Sequence, residues 1–302
     1  MKPQFCFYLL WALLVIFSGL TSQARADSLI IDGTTVTLSG QFRYEKVEII
    51  NGGILFVGPY DGSAGGSLVL RARSIFVDAT SAILADGAGF RGLDNQNGEG
   101  PGGGIGGTAV FDGAGGGAYG GAGGQGTNDD DGLDPLALGG NPYGSADGLD
   151  IQMGSAGGAA GAADGDFGGA GGNGGGAIAL VAGKILIEGI ISANGMPGVD
   201  SGNDASGGGS GGGILLAGLK VSVSGALSAN GGDGAEIGPG IPGDDSAGGG
   251  GGGRIKIFSI TPANITGSLS VSGGLGPAGA TDGGEGTVFI KGNLSADTLD
   301  KI

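Results

Sequence analysis

Short runs of apolar residues, each with a variable residue at its centre, recur along this chain between tracts of glycine. Two stretches, residues 176–195 (GAIALVAGKILIEGIISANG) and 212–231 (GGILLAGLKVSVSGALSANG), superimpose at an offset of 36 without a gap, which marks a true internal repeat. Ile178 and Leu180 align with Ile214 and Leu216, Ile185 and Ile187 with Val221 and Val223, and Ile191 and Ala193 with Leu227 and Ala229. In triplets such as Ile185-Leu186-Ile187 and Val221-Ser222-Val223 the outer residues match and the middle one varies, the period of a strand and not of a helix. Looser copies lie at 66–87 and 253–273, a half-copy at 286–291, and a differently spaced turn upstream, with Val36-Thr37-Leu38, Val47-Glu48-Ile49 and Ile54-Leu55-Phe56.

Three short strands per copy, separated by glycines at 183, 189, 218 and 225, predict one circuit of the chain per repeat. The fold class expected is therefore all-β, a right-handed parallel β-helix (solenoid) whose inward Ile, Leu and Val stack from coil to coil. A β-sandwich of about a dozen strands is the alternative. Everything longer than a bend falls at one point of the repeat, at 87–176, 195–212, 231–253 and 273–286, so the Gly/Asp-rich insertions are expected along one edge. Glycine supplies 79 of the 302 residues, without the G-X-Y period of collagen. Insertion sequences such as 169–176 (GAGGNGGG) and 246–253 (SAGGGGGG) hold almost no apolar side chain. Two readings stay open for them. One is flexible loops; the other is extended, polyproline-II-like strands whose bare backbones hydrogen-bond to one another, against the entropy that glycine loses on ordering.

The first 26 residues read differently from the rest. Lys2 precedes an apolar run from 5 to 20, and Ala24-Arg25-Ala26 gives a small-x-small cleavage pattern before Asp27. That is the form of a signal peptide, too short for the roughly 20 residues of a membrane span. The expected organisation is thus a leader at 1–26 and a single domain at 27–302, secreted or held at the cell surface, with no membrane span after cleavage. Cys6 is the only cysteine and leaves with the leader, so no disulfide, thiolate metal site or cysteine nucleophile is expected. Losing Lys2 and Arg25 changes the formal charge from −16 to −18. A chain so acidic lacks the basic stripe that nucleic acid requires, which makes metal ions, cationic surfaces or neutral glycans the better candidate partners, and the absence of histidine removes the commonest general base.

The segments Gly211-Gly212-Gly213-Ile214 and Leu227-Ser228-Ala229-Asn230-Gly231, with their copies, resemble the glycine-rich β-helical repeats of secreted bacterial adhesin-like and cell-surface proteins. The stretch 40–56, with Tyr44, Val47, Ile49 and Gly53, is similar to the first coil of such proteins. The resemblance implies a structural or adhesive role, with a glycan, the cell envelope or the extracellular matrix as partner. Open coil ends add end-to-end self-association as an expectation.

Candidate chemistry is sparse. Acids gather in the insertions, above all Asp129, Asp130, Asp131 and Asp134, and carboxylates amid glycine carbonyls suit calcium. They are the candidate metal ligands, and a calcium-dependent folding module is one alternative function. Thr127, however, stands where a D-x-D-x-D-G loop would begin, and solvated acidic loops are ordinary. A polysaccharide lyase or glycosidase is the other alternative, since Lys184, Lys220 and Lys256 recur at 36-residue spacing and a column of cations suits a sugar acid. No paired carboxylates of the glycosidase kind sit on an expected strand, so no catalytic residue is assigned and the chain is expected not to be an enzyme. Three Gly-Leu-Asp triplets, at 92–94, 132–134 and 148–150, are expected to be turns that tuck one leucine against the coil. Tyr60, Tyr119 and Tyr143 are candidate platforms for sugar rings.

Overall fold

A computed structural model of the chain describes residues 26–107, 113–127, 137–161, 169–200, 205–236, 246–277 and 279–293. They form fourteen strands: β1 (Ala26–Asp32), β2 (Thr35–Leu38), β3 (Gly40–Ile50), β4 (Ile54–Val57), β5 (Ser67–Val77), β6 (Ala82–Leu84), β7 (Ala177–Ile187), β8 (Ile190–Ser192), β9 (Gly213–Val223), β10 (Ala226–Ser228), β11 (Arg254–Ser259), β12 (Asn264–Ile265), β13 (Ser268–Ser270) and β14 (Thr287–Lys291). The chain alternates between two sheets. The larger has eight strands in the order β1-β3-β5-β7-β9-β11-β14, with β12 also on β9, and the smaller has six in the order β2-β4-β6-β8-β10-β13. Every pairing is parallel.

This corrects the expected right-handed β-helix of three strands per coil. There are two sheets, and neither closes on itself. The error lies in reading Gly183 and Gly218 as bends. Strand β7 runs straight through Gly183 and β9 through Gly218, just as β5 runs through Arg73. At 218 glycine serves close approach, because a β-carbon there would lie 2.6 Å from the Ala182 carbonyl oxygen. Gly189 and Gly225 do stand at strand breaks, stacked so that a β-carbon on Gly225 would meet the Gly189 oxygen at 1.9 Å.

The pairs aligned by the 36-residue offset are register partners. Ile178 faces Ile214, Leu180 faces Leu216, Ile185 faces Val221 and Ile187 faces Val223 in the larger sheet, and Ile191 faces Leu227 in the smaller. Inward side chains of both sheets, among them Leu55, Ile83, Ile191, Leu68, Ile178 and Ile257, fill one continuous core. Where the chain turns from the smaller sheet back to the larger, the S-A-N-G motif supplies its own ladder. Asn194 N–H donates to Asp86 Oδ1, Asn230 N–H to Asn194 Oδ1, and Ser272 N–H to Asn230 Oδ1.

The long insertions leave the smaller sheet at that turn, and their described residues are ordered without strands. Their hydrogen bonds repeat every third residue. Gly154, Gly157 and Ala160 donate to the carbonyls of Gly175, Gly172 and Gly169; Ser155 and Gly158 donate to those of Ala118 and Gly115; Ala156 and Ala159 donate to those of Glu99 and Gln96. In the same way Ala247, Gly250 and Gly253 donate to Ala235, Gly232 and Ala229, while Gly248 and Gly251 donate to Ala114 and Gly117. Three residues per turn with no internal hydrogen bond is the signature of polyproline II. These segments form a bundle in which inner ones such as 154–160 and 247–253 each donate to three neighbours. Of the two readings of the insertions, ordered packing is therefore the one observed in the described residues.

The bundle explains the glycine content. Buried Ala and Ser side chains such as Ala156, Ala247 and Ser210 fit between the segments at some positions, but at the glycines there is no room: a β-carbon on Gly250 would lie 2.0 Å from the Gly209 oxygen, and one on Gly157 2.0 Å from the Gly207 oxygen. None of these four glycines has a positive φ, so the constraint is volume and not backbone conformation. Gly250→Ala is expected to cost about 3 kcal/mol or more as an overpacking change. Gly284→Ala, whose β-carbon would meet nothing closer than 3.1 Å, should cost less than half as much. Thermal melts of the two variants beside the wild type check the difference.

Candidate functional site

The outward face of the larger sheet is divided in two along its strands. Over the first half of β7, β9 and β11, an insertion segment covers Ala179, Leu215, Ala217 and Phe258, with Leu149 and Ile151 packed upon them. Leu149 belongs to the third Gly-Leu-Asp triplet and tucks against the sheet; the second triplet lies outside the described residues.

Two buried cations fasten this cover. Lys256, fully buried, donates from Nζ to the Asp150 backbone oxygen at 2.7 Å and to Asp150 Oδ1 at 3.1 Å. Arg254 donates to the Tyr143 carbonyl at 2.9 Å and to Thr287 Oγ1 at 2.8 Å, with its guanidinium 5.3 Å from the centre of the Tyr119 ring. Tyr119 and Tyr143 pack together at 4.9 Å between ring centres. The Tyr119 hydroxyl accepts from Gln152 N–H, and the Tyr143 hydroxyl donates to the Met153 carbonyl. Burial pushes the Tyr119 hydroxyl up to about 12 and raises Tyr143 further. Burial also lowers the Lys256 ammonium, against the opposing pull of Asp150. Asp150 is partly desolvated, yet the hydrogen bonds from Ser145 and the charge of Lys256 hold its carboxyl at about 2.

Hence Tyr119 and Tyr143 are not open platforms for a sugar; they belong to the fastening. Tyr60 is half-buried and packs edge-on against Phe90 at 5.4 Å. Lys256 also leaves the expected cation column. The longer insertion at 231–253 shifts the register, Arg254 pairs with Gly213, and Lys256 falls beside Leu215.

The second half of the outward face is open. Lys46, Ser74, Lys184 and Lys220 stand in one row across β3, β5, β7 and β9, and beside it runs Glu48, Phe76, Leu186 and Ser222. A shallow groove of about 270 Å³ lies between them, lined by Lys46, Glu48, Ser74, Phe76, Lys184 and Leu186. Lys46 pairs with Glu48 at 2.7 Å, whereas among the described residues Lys184 and Lys220 make no ion pair. Their Cα atoms are separated by one strand spacing, about 4.8 Å. Lys46 was missed in the sequence because the 36-residue offset does not extend to β3; the row appears only when the strands are paired.

Asp129, Asp130, Asp131 and Asp134 lie outside the described residues. Among the described residues no three His, Cys, Asp or Glu side chains gather to hold a metal ion, and no helix is long and apolar enough to cross a membrane. Comparison with protein-family models, with curated proteins and with solved structures finds no match.

Two outcomes follow for the fastening. Asp150→Ala, which leaves Lys256 buried without its charge partner, should destabilise by about 2–3 kcal/mol, less than a fully buried pair would lose because its carboxylate is partly exposed, and the double change Lys256→Met/Asp150→Ala, which removes both charges, should melt no lower than Asp150→Ala alone. The depressed carboxyl of Asp150 stabilises fully above its unfolded value near 3.9 and loses that contribution as pH falls towards about 2. Wild-type melting temperature should therefore drop more steeply between about pH 4 and pH 2 than that of Asp150→Asn, measured by calorimetry at each pH.

Proposed function

We propose that the chain is an exported structural and adhesive protein, at the cell surface or outside the cell, which holds an acidic glycan against the open half of its larger sheet. The observation that carries this reading is the row Lys46, Lys184 and Lys220 in register above Phe76 and Leu186. Ammonium groups at strand spacing suit carboxylate or sulfate groups that recur along a polysaccharide. The apolar side chains beside them offer a surface for sugar rings, and Glu48 and Ser74 supply polar partners for hydroxyls. The chain's overall acidity opposes a polyanion at long range, but screening confines that repulsion to about 10 Å or less at ordinary salt. Within that distance the lysine row decides the sign. Single contacts of this kind are weak, and a rigid row engages several at once.

The test is binding of uronic-acid or sulfated polysaccharides against neutral ones of similar length, by calorimetry at two salt concentrations. The reading expects retention of the acidic chains, weakening with salt, and at least a tenfold loss in Lys184→Glu/Lys220→Glu. Equal binding of neutral and acidic chains, or binding that the double variant leaves unchanged, contradicts it.

A further inference from the structure

Apolar side chains that the core leaves incompletely buried are concentrated at its two ends: Leu29, Val36, Leu38, Phe42 and Tyr44 at the beginning of the stack, Ile265 and Leu269 at its finish. The last strand shows this most clearly. Val288 and Ile290 of β14 continue the columns of Ile255 and Ile257, which are fully buried, yet they are 41 and 47 % exposed. They are core positions with nothing upon them among the described residues.

The two ends are stepped, and the steps match. At the finish, the larger sheet extends through β11 to β14 over the first half of the strands, but over the second half it stops one strand sooner, at β12 on β9. At the beginning the step is reversed. Strand β1 covers β3 from Tyr44 onward and leaves residues 40–43 at the edge. Those four residues head the same columns that β14 ends: Phe42, Leu70, Leu180, Leu216, Ile257 and Ile290 form one, and Arg43 and Lys291 stand at opposite ends of the next. Each end therefore has a raised half, one strand high, where the other has a recess.

We propose that copies of this chain stack head to tail, residues 40–43 of one copy pairing with β14 of the next and its β1 with β12. Every column then continues across the junction. Phe42 meets Ile290 and Ile31 meets Ile265, while in the smaller sheet Val36 of β2 meets Leu269 of β13. Lys291 and Arg43 come together on the outward face, a neighbourhood the sheet already accepts where Arg43 stands beside Arg71. Backbone edges with no neighbouring strand among the described residues gain one, and the apolar ends lose their exposure to water. Because the two surfaces differ, the contact does not close on itself and gives a linear filament. Such a filament would also prolong the lysine row of the outward face.

Register-specific cross-linking tests it on the chain secreted by an exporting host. Neighbouring strands place Cα atoms about 4.8 Å apart, inside the roughly 4.4–6.8 Å that a disulfide needs. Arg43→Cys/Lys291→Cys should therefore give a ladder of disulfide-linked multimers under mild oxidation. Gln41→Cys/Lys291→Cys, two residues out of register, should not, and wild-type sedimentation should show mass rising with concentration. Arg43, Gln41 and Lys291 are exposed, so the substitutions leave the core intact. Equal ladders from both pairs, dimers from Lys291→Cys alone, or a wild type that sediments as a monomer at every concentration would overturn the proposal.

Discussion

Hydrogen bonds between backbones that approach too closely to admit a β-carbon are the interaction on which the rest of this molecule depends. Ordinary cores exclude water with side chains. Here, on one side of the sheets, the backbone itself is the packing unit, and the inner segments 113–118, 154–160, 206–212 and 247–253 each donate to three neighbours. A buried N–H without a partner costs far more than a made hydrogen bond returns. The bundle is therefore cooperative: removing one segment orphans donors and acceptors on several others. That mutual satisfaction offsets the large entropy lost when glycine is ordered.

The bundle also determines which surfaces are left for function. Its covering segment takes the first half of the outward face and is fastened there by Arg254 and Lys256, two buried cations. A buried pair of this kind contributes position more than stability; it fixes where the cover ends. Beyond that boundary the lysine row and the shallow groove remain open, carried on parallel strands whose spacing is set by backbone hydrogen bonds. The proposed glycan contact and the proposed head-to-tail stacking both draw on this regularity, one on the face of the sheet and the other on its ends.

Much of the stacking was legible in the sequence, because identical columns require like residues at a fixed offset. Ile178 and Ile214, or Ile191 and Leu227, were paired correctly on that ground alone. The number of sheets was not legible. A glycine inside a strand and a glycine at a corner look alike in sequence, and both are packed too closely for a β-carbon; only the strand bounds separate Gly218, inside β9, from Gly225, in the break before β10. The fastening was equally hidden, since Asp150 and Lys256 are separated by 106 residues and meet only when the third insertion shifts the register. The lysine row was half visible: Lys184 and Lys220 share the repeat offset, Lys46 does not, and Lys256 shares it only in number.

The central claim is that the glycine segments are as firmly hydrogen-bonded as the strands. Amide hydrogen exchange over residues 113–118, 154–160, 206–212 and 247–253 tests it most directly. Protection comparable to that of β7 and β9 is the result this account requires. Exchange at the rate of an unstructured chain in those segments, with the strands still protected, would contradict it.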